Sequence, residues 1–214
     1  MRVKFFIKTF LLLYLSVIPL AEAKQLLFAS REFPNKSFKA LPQWEAVLEK
    51  MTGDDEWLTK CRTTIAECGG GSFENWANAI NKNTQVTDTR RLLTKVNRIF
   101  NKSKYKLDID NFGQQEYWAS VKEFLEKSGD CEDYAITKYY VLRALGVSAD
   151  NLRIVAVKDQ IRGIGHAILA VYDRDKVYIL DNLSAVVLPQ ERLPHYSPQF
   201  SVNENMRWTH FSVR

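Results

Sequence analysis

Three residues with side chains suited to nucleophilic and acid–base chemistry stand out in this sequence: Cys131, His166 and Asp181. A thiolate can attack a carbonyl carbon, an imidazole can take the thiol proton, and a carboxylate can orient the imidazole and stabilise its charged form. Cys131 follows a Gly-Asp turn and begins an apolar helical pattern. The free N–H groups and dipole of a first helical turn favour an anion and lower a thiol pKa. The three residue types therefore suit a thiol protease.

The acidic residues around Cys131 allow a second interpretation of the same stretch. Asp130 is a good N-cap residue, and Asp133 stands where the return partner of a capping box lies. Together with Glu132, these carboxylates should raise the pKa of the neighbouring thiol. A buried cysteine among acidic caps is thus the alternative to a reactive thiol.

The elements that must position these residues follow from the spacing of apolar side chains. Helical spacing runs from Ala135 to Leu145, and Gly146 is placed to close that helix as the C′ residue. Beyond Gly146 the pattern predicts strands over residues 152–158, 166–172 and 177–183. His166 begins the second of these strands, and Asp181 lies in the third.

The second and third strands form a predicted hairpin, so their register can be worked out. If residues 173–176 make the turn, Tyr172 lies opposite Val177, and His166 and Asp181 become diagonal neighbours on one face. Such neighbours have Cβ atoms about 7–8 Å apart, within reach of an imidazole–carboxylate hydrogen bond. A slip of one residue would separate them. The alternatives are a satisfied polar histidine within a strand and a simple turn at Asp181.

The remaining patterns predict an α+β fold in which helices precede an antiparallel sheet. Residues 42–59 indicate a helix that Gly53 would end, residues 73–80 restart a helical pattern, and residues 86–101 form an amphipathic helix. A polar loop is expected over 102–115, a short helix up to Leu125, and a last strand-like piece over 208–213. His195 and His210 are interpreted as structural or surface residues.

Composition limits the classes of function that remain open. The chain has 214 residues, of which 46% are apolar, enough for one substantial core. A formal net charge of +5 is too mild to argue for a nucleic-acid partner. Of the three cysteines, Cys61 and Cys68 can close a short disulfide loop, which leaves Cys131 as the odd thiol.

The N-terminus has the layout of a secretory signal peptide over residues 1–23. Basic residues from Arg2 to Lys8 precede an apolar stretch over 9–20, and Ala21-Glu-Ala23 forms an A-x-A cleavage site. The apolar stretch is short for a membrane span, although a retained anchor is the alternative. We therefore expect an exported protein and a mature domain over 24–214.

Several blocks of the sequence resemble one known family, the bacterial transglutaminase-like cysteine proteinases. The resemblance covers residues 86–188, the expected catalytic core, whereas the helical part over 24–85 shows no matching block. The matching blocks are Lys95-Val-Asn-Arg-Ile-Phe-Asn101, Glu116-Tyr-Trp-Ala119, Gly129-Asp-Cys-Glu-Asp-Tyr-Ala135, Gly165-His-Ala-Ile-Leu169 and Val177-Tyr-Ile-Leu-Asp-Asn-Leu183. The resemblance implies a papain-like fold of transglutaminase type, with Cys131 as nucleophile, His166 as general base and Asp181 as orienting acid.

The same resemblance implies a requirement for Ca²⁺, with Asp130, Glu132 and Asp133 as ligands. Three carboxylates within four residues suit a hard cation that takes oxygen ligands. A bound dication would also offset their unfavourable effect on the Cys131 thiolate. Helix capping by Asp130 and Asp133 is the alternative, and it is compatible with calcium binding.

The resemblance further implies a periplasmic protease with two protein partners. Members cut a di-alanine-containing site in the N-terminal region of a large calcium-binding surface adhesin, which releases it and controls biofilm attachment. The periplasmic domain of an inner-membrane cyclic-di-GMP receptor sequesters the protease. The alternatives are amide transfer or cell-wall peptide hydrolysis by the same three residues, and a non-catalytic calcium-binding module with a vestigial cysteine. The intact set of Cys131, His166 and Asp181 argues against the last of these.

Overall fold

The computed structural model describes residues 25–212, so the predicted signal peptide lies outside the described residues and stays a prediction. Within that range, no helix combines the length and the apolar character that crossing a bilayer requires. The described helices are α1 (Pro42–Thr63), α2 (Gly71–Asn81), α3 (Thr89–Phe100), α4 (Asp108–Phe112), α5 (Val121–Lys127) and α6 (Cys131–Ala144). The described strands are β1 (Arg31–Asn35), β2 (Leu152–Asp159), β3 (Ile164–Asp173), β4 (Lys176–Leu180), β5 (Leu188–Pro189), β6 (Tyr196–Val202) and β7 (Arg207–Phe211).

The strands form one sheet in the order β1-β7-β6-β2-β3-β4-β5, and every neighbouring pair is antiparallel. Apart from β1, the helices precede the sheet, which confirms the predicted α+β class. β1 pairs with β7 from Arg31 opposite Phe211. This pairing ties the first described strand to the last one.

Helix α6 is the central element between the sheet and the other helices. It packs across β2 and β3, with α3 and α5 on its other sides. Almost every side chain from Glu132 to Leu142 is buried, including the polar Thr137 and Lys138. A helix surrounded by structure buries all of its faces, which explains why its one-sided apolar pattern is weak. Gly146 closes the helix with φ of 89°, as the sequence predicts.

Helix α3 shows how a polar residue enters the core beside apolar ones. The Asp88 side chain caps it by accepting the N–H of Arg91 at 2.7 Å, so the helix begins at Thr89 rather than at residue 86. Its apolar face is buried against α6, and Asn97 on that face is also fully buried. The amide of Asn97 must therefore find its partners inside the protein.

The prediction that Gly53 ends the first helix is wrong, because α1 continues to Thr63. A helical glycine costs about 1 kcal/mol relative to alanine. The turns beyond it bury Leu58 and Cys61, and that burial outweighs the cost. Cys61 is joined to Cys68 and Cys131 is free, which confirms both parts of the cysteine prediction.

Two boundaries near the expected catalytic residues also differ from the sequence prediction. β4 ends at Leu180 instead of residue 183, because Oδ1 of Asp181 accepts the N–H of Leu183 at 2.9 Å and turns the chain. The polar stretch over 102–115, predicted as a loop, contains the short helix α4. Both differences bring polar side chains to the site.

Candidate active site

Cys131 is the first residue of α6, and its thiol is free and half-buried. Asp130 before it is extended and occupies the predicted N-cap position. The sulfur lies against β3, where a hydrogen bond from the backbone amide of Ala167 opposes the rise in the thiol pKa that burial causes. The cysteine thus meets the strand that carries His166, the residue immediately before Ala167.

His166 and Asp181 are both buried and lie side by side. Nε2 of His166 is 2.9 Å from Oδ1 of Asp181, although fifteen residues separate them in the chain. The hairpin register is the predicted one, with Tyr172 opposite Val177. Nε2 of His166 is therefore occupied by the carboxylate, and Nδ1 is the second ring nitrogen.

The surroundings of Asp181 keep its carboxylate ionised. Burial would raise its pKa, but the His166 hydrogen bond, the Tyr196 hydroxyl and the Leu183 N–H outweigh burial and lower the pKa. The Tyr196 hydroxyl donates to Oδ2 at 2.6 Å. A carboxylate that accepts several hydrogen bonds in a buried setting is a fixed negative charge, which is what an orienting acid requires.

The surroundings of Cys131, in contrast, favour the protonated form of its thiol. Burial raises its pKa, and the nearby charges of Glu132 and Asp130 raise it further. The thiol also donates to Oε2 of Glu132 at 3.2 Å, which favours its protonated form. The first helical turn alone therefore does not ionise this cysteine while the carboxylates around it carry their charges.

The carboxylates next to the cysteine belong to a larger acidic cluster than the sequence indicates. Carboxylate oxygens of Asp108, Asp130 and Asp133 lie within 4.8 Å of one another, and Glu132 instead groups with Asp130 and Cys131. Asp108 comes from the start of α4. The chain before α4 runs beside Gly129, whose carbonyl accepts the N–H of Lys106 at 2.9 Å.

The carboxylate oxygens of this cluster are close enough together to bind one cation. Oδ1 of Asp108 and Oδ1 of Asp130 are buried and have no hydrogen-bond partner among residues 25–212. The two oxygens of Asp133 accept the N–H of Ala119 at 2.7 Å and that of Asp130 at 3.2 Å. Buried carboxylate oxygens without partners are unfavourable unless a cation binds them. The donor set of oxygens alone fits Ca²⁺.

Burial and the crowding of these carboxylates raise the pKa values of Asp108 and Glu132. Burial, followed by the charges of Asp130 and Glu116, raises the pKa of Asp108 to about 6, although the Tyr117 N–H opposes this shift. Burial and the neighbouring Asp130 carboxylate raise the pKa of Glu132 to about 10. A dication among them would favour their ionised forms.

A cavity of about 280 Å³ opens beside Asp181. Its wall contains Ile161, Leu183 and Val186, whose side chains are exposed, and the charged Arg162. Apolar walls with a few polar groups are typical of sites that bind ligand side chains. The cavity could therefore receive a side chain of a peptide laid across the site.

The sequence did not identify three further residues at the site: Asp108, Tyr196 and Asn101. Asn101 donates through Nδ2 to the carbonyl of Asp181 at 2.8 Å. Each reaches the site from a distant part of the chain, so no local spacing links it to Cys131. The structure keeps His210 out of the site, since both of its ring nitrogens pair with serine hydroxyls.

Solved structures of one protein resemble this fold closely. Legionella pneumophila LapG is 31% identical over 71% of this chain and 87% of that chain, with a TM-score of 0.62. Its calcium-bound form is 32% identical over 72% of this chain and 86% of that chain, also with a TM-score of 0.62. Its EGTA-treated form has a TM-score of 0.63. The likeness confirms the transglutaminase-like fold.

Comparison with protein families extends the matched part of the chain. The curated proteins provide no match. The model of the bacterial transglutaminase-like cysteine proteinases matches residues 51–214, so it begins before residue 86, where the sequence resemblance was noted. The chain belongs to the bacterial transglutaminase-like cysteine proteinase family.

Proposed function

We propose that this protein is a calcium-dependent periplasmic cysteine endopeptidase that acts through Cys131, His166 and Asp181. The observation that carries the proposal is the buried pair of His166 Nε2 and Asp181 Oδ1, 2.9 Å apart, beside the strand residue that contacts the Cys131 sulfur. A carboxylate so placed fixes the imidazole tautomer and leaves Nδ1 to act as the base. Membership of a cysteine proteinase family supports the same reaction class.

The reaction proceeds by acyl transfer to the thiol. Nδ1 of His166 takes the thiol proton, the Cys131 sulfur bonds to the scissile carbonyl carbon, and Asp181 stabilises the imidazolium. The amide C–N bond then breaks as the imidazolium gives its proton to the leaving amine. Water hydrolyses the resulting thioester with His166 again as base, which releases the acid product and restores the thiol. The N–H groups of the first turn of α6 are suited to hold the oxyanion.

We assign the calcium site to Asp108, Asp130 and Asp133, with Glu132 as a ligand by resemblance. Bound there, Ca²⁺ would neutralise part of the charge that disfavours the Cys131 thiolate. The support is the pair of buried oxygens on Asp108 and Asp130 that have no partner in the described part of the chain. A neighbouring structure, L. pneumophila LapG, exists in a calcium-bound form.

The substrate and regulator that we propose follow the family. The substrate is the N-terminal region of a large calcium-binding surface adhesin, whose cleavage releases it from the cell and so controls biofilm attachment. The regulator is the periplasmic domain of an inner-membrane cyclic-di-GMP receptor. The cavity beside Asp181, at about 280 Å³, is smaller than the pockets that usually enclose a small ligand, so it suits one side chain of an extended peptide.

The test is incubation of the purified protein with the N-terminal region of a large adhesin encoded beside it. We expect one new pair of fragments in the presence of calcium, and none with a chelator or with Cys131→Ala. Mass spectrometry with an added primary amine distinguishes hydrolysis from amide transfer, since transfer would attach the amine to the new C-terminus. Cleavage that persists in Cys131→Ala would overturn the proposed nucleophile.

A further inference from the structure

A lysine is buried in the centre of the protein, and no carboxylate within residues 25–212 bonds to it. Lys138 on α6 is 1% exposed, and its Nζ donates to Oδ1 of Asn97 at 2.8 Å. Burial lowers the pKa of Lys138 to about 7, although the charge of Asp181 opposes that shift. The amine can donate to Asn97 in either protonation state. Burial of so polar a group is unfavourable, and an apolar side chain would fill the same space with less cost.

The hydrogen bonds of Lys138 continue through α3 to the chain segment that carries Asp181. Nδ2 of Asn97 donates to the carbonyl of Ser184 at 2.7 Å. Nδ2 of Asn101, at the end of α3, donates to the same carbonyl at 2.9 Å and to the carbonyl of Asp181 at 2.8 Å. Two asparagine amides therefore hold the backbone at both ends of the turn over 181–184.

This series of hydrogen bonds joins α6, which carries Cys131, to the turn over 181–184, which carries Asp181. Lys138 lies seven residues after Cys131, two helical turns along the same face of α6. Asp181 follows the end of β4, where sheet pairing no longer fixes the backbone. In the described part of the chain, the side-chain bonds that reach the carbonyls of Asp181 and Ser184 come from α3 and from the residue that caps its C-terminus. His166 thus bonds the carboxylate of Asp181, while the two amides bond the backbone carbonyls of the turn that carries it.

We propose that Lys138, Asn97 and Asn101 are positioning residues that hold the turn after β4 in register with α6 and so keep Asp181 aligned on His166. This inference rests on the proposed catalytic roles of Cys131, His166 and Asp181. Displacement of a catalytic group by about 1 Å lowers activity on the order of a hundredfold. Release of the turn should therefore weaken activation of the thiol without unfolding the protein.

The test uses alkylation of Cys131 by iodoacetamide, which requires no substrate. Rates are measured from pH 5 to 9 in saturating calcium, for the parent chain, Asn101→Ala and Lys138→Met. We expect each variant to alkylate about tenfold or more slowly at neutral pH. We also expect the midpoint of the pH profile to move upward, because a misaligned Asp181 stabilises the imidazolium less. Met keeps the unbranched shape of the lysine stem and removes the amine with its hydrogen bond and its charge, whereas Asn101→Ala changes no charge.

A matched control separates positioning from general loss of an asparagine bond. Asn81 at the end of α2 donates to the carbonyl of Arg62 at 2.9 Å, far along the chain from the catalytic residues. Asn81→Ala should alkylate within twofold of the parent, with the same midpoint. Melting temperatures in the same buffer establish that each variant is folded. If Lys138→Met does not fold, Asn101→Ala decides alone, since Asn101 is only half-buried.

The outcomes distinguish this inference from the proposed function. If His166→Ala slows alkylation and Asn101→Ala leaves both rate and midpoint unchanged, the positioning role is overturned and the catalytic assignment stands. If His166→Ala and the parent react alike, the catalytic assignment itself fails. A lower melting temperature with a parent-like profile would show that the amides contribute only to stability, which also overturns the inference.

Discussion

Asp133 occupies the space that any side chain on Gly129 would need. A Cβ atom built on Gly129 would lie 1.9 Å from Oδ2 of Asp133, much closer than two such atoms can approach. The Asp133 carboxylate thus packs against the backbone of Gly129, in the turn before α6. From there its carboxylate bonds the N–H of Ala119 and the N–H of Asp130. Because Gly129 has no side chain, the Asp133 carboxylate has the space that it needs to lie in the acidic cluster.

We predict that Gly129→Ala displaces Asp133, destabilises the protein and weakens calcium binding. Leaving buried hydrogen-bonding groups unsatisfied costs about 1–3 kcal/mol, so the free energy of unfolding should fall by roughly 2 kcal/mol. Urea unfolding and the calcium-induced rise in melting temperature measure the two effects. Gly53→Ala is the matched control, since nothing lies within 4 Å of its Cβ and α1 should gain about 1 kcal/mol. Equal stability of Gly129→Ala and the parent would contradict this account of Asp133.

We predict that Asp108→Asn reduces the effect of calcium on thermal stability. A ligand that binds only the folded state raises the melting temperature as its concentration exceeds the dissociation constant, and loss of one carboxylate weakens the site. Differential scanning calorimetry across a calcium series gives the shift. Asp110→Asn, two residues along at an exposed position, should respond like the parent. Magnesium should replace calcium poorly because it demands stricter octahedral geometry. An unchanged response in Asp108→Asn would remove this residue from the site.

The local parts of this site were predictable from the sequence, because they depend on neighbours in the chain. Cys131 at a helix start and the hairpin that joins His166 to Asp181 follow from periodicity and from one turn. Asp108 and Tyr196 were not predictable in the same way. Their contacts with the site depend on how α4 packs beside Gly129 and on a turn after β5, and neither has a local pattern. Packing likewise decides that α1 continues through Gly53.

We predict that Tyr196→Phe destabilises the protein in a pH-dependent manner. The variant leaves Oδ2 of Asp181 without its 2.6 Å hydrogen bond, which should cost about 1.5–3 kcal/mol near neutral pH. The pKa of Asp181 is lowered in the fold, so the stability from its ionised form is present above the unfolded pKa and is lost as the pH falls through the folded pKa. Urea titrations at pH 7 and near pH 3 should therefore show that the difference in free energy of unfolding between the parent and Tyr196→Phe is smaller at the lower pH. A difference independent of pH would mean that the hydroxyl acts through packing alone.

We predict that His210 makes the fold sensitive to mild acid. Its ring is buried between the hydroxyls of Ser30 and Ser201, each 2.8 Å away. Burial lowers its pKa to about 4. The charge of Glu32 opposes this shift and the charge of Arg153 adds to it, both with smaller effects than burial. The unfolded chain binds the proton first, so stability present above pH 6.5 is lost as the pH falls towards 4, by about 2–3 kcal/mol.

The check is urea unfolding of the parent and His210→Gln between pH 7.5 and 4.5. Gln stays neutral over this range, so the variant should lose less stability on acidification even if it starts lower. Parallel pH dependence in the two proteins would place the acid sensitivity elsewhere.

The central claim is that the thiol of Cys131 is activated by His166, and the rate constant for its alkylation by iodoacetamide tests this most directly. In saturating calcium at pH 7, the parent should react faster than a free model thiol, and His166→Ala should lose at least tenfold, since nucleophile and base act as a unit. Addition of a chelator should slow the parent, because burial and the charge of Asp130 then raise the thiol pKa without compensation. Equal rate constants for the parent, His166→Ala and the model thiol would contradict the account.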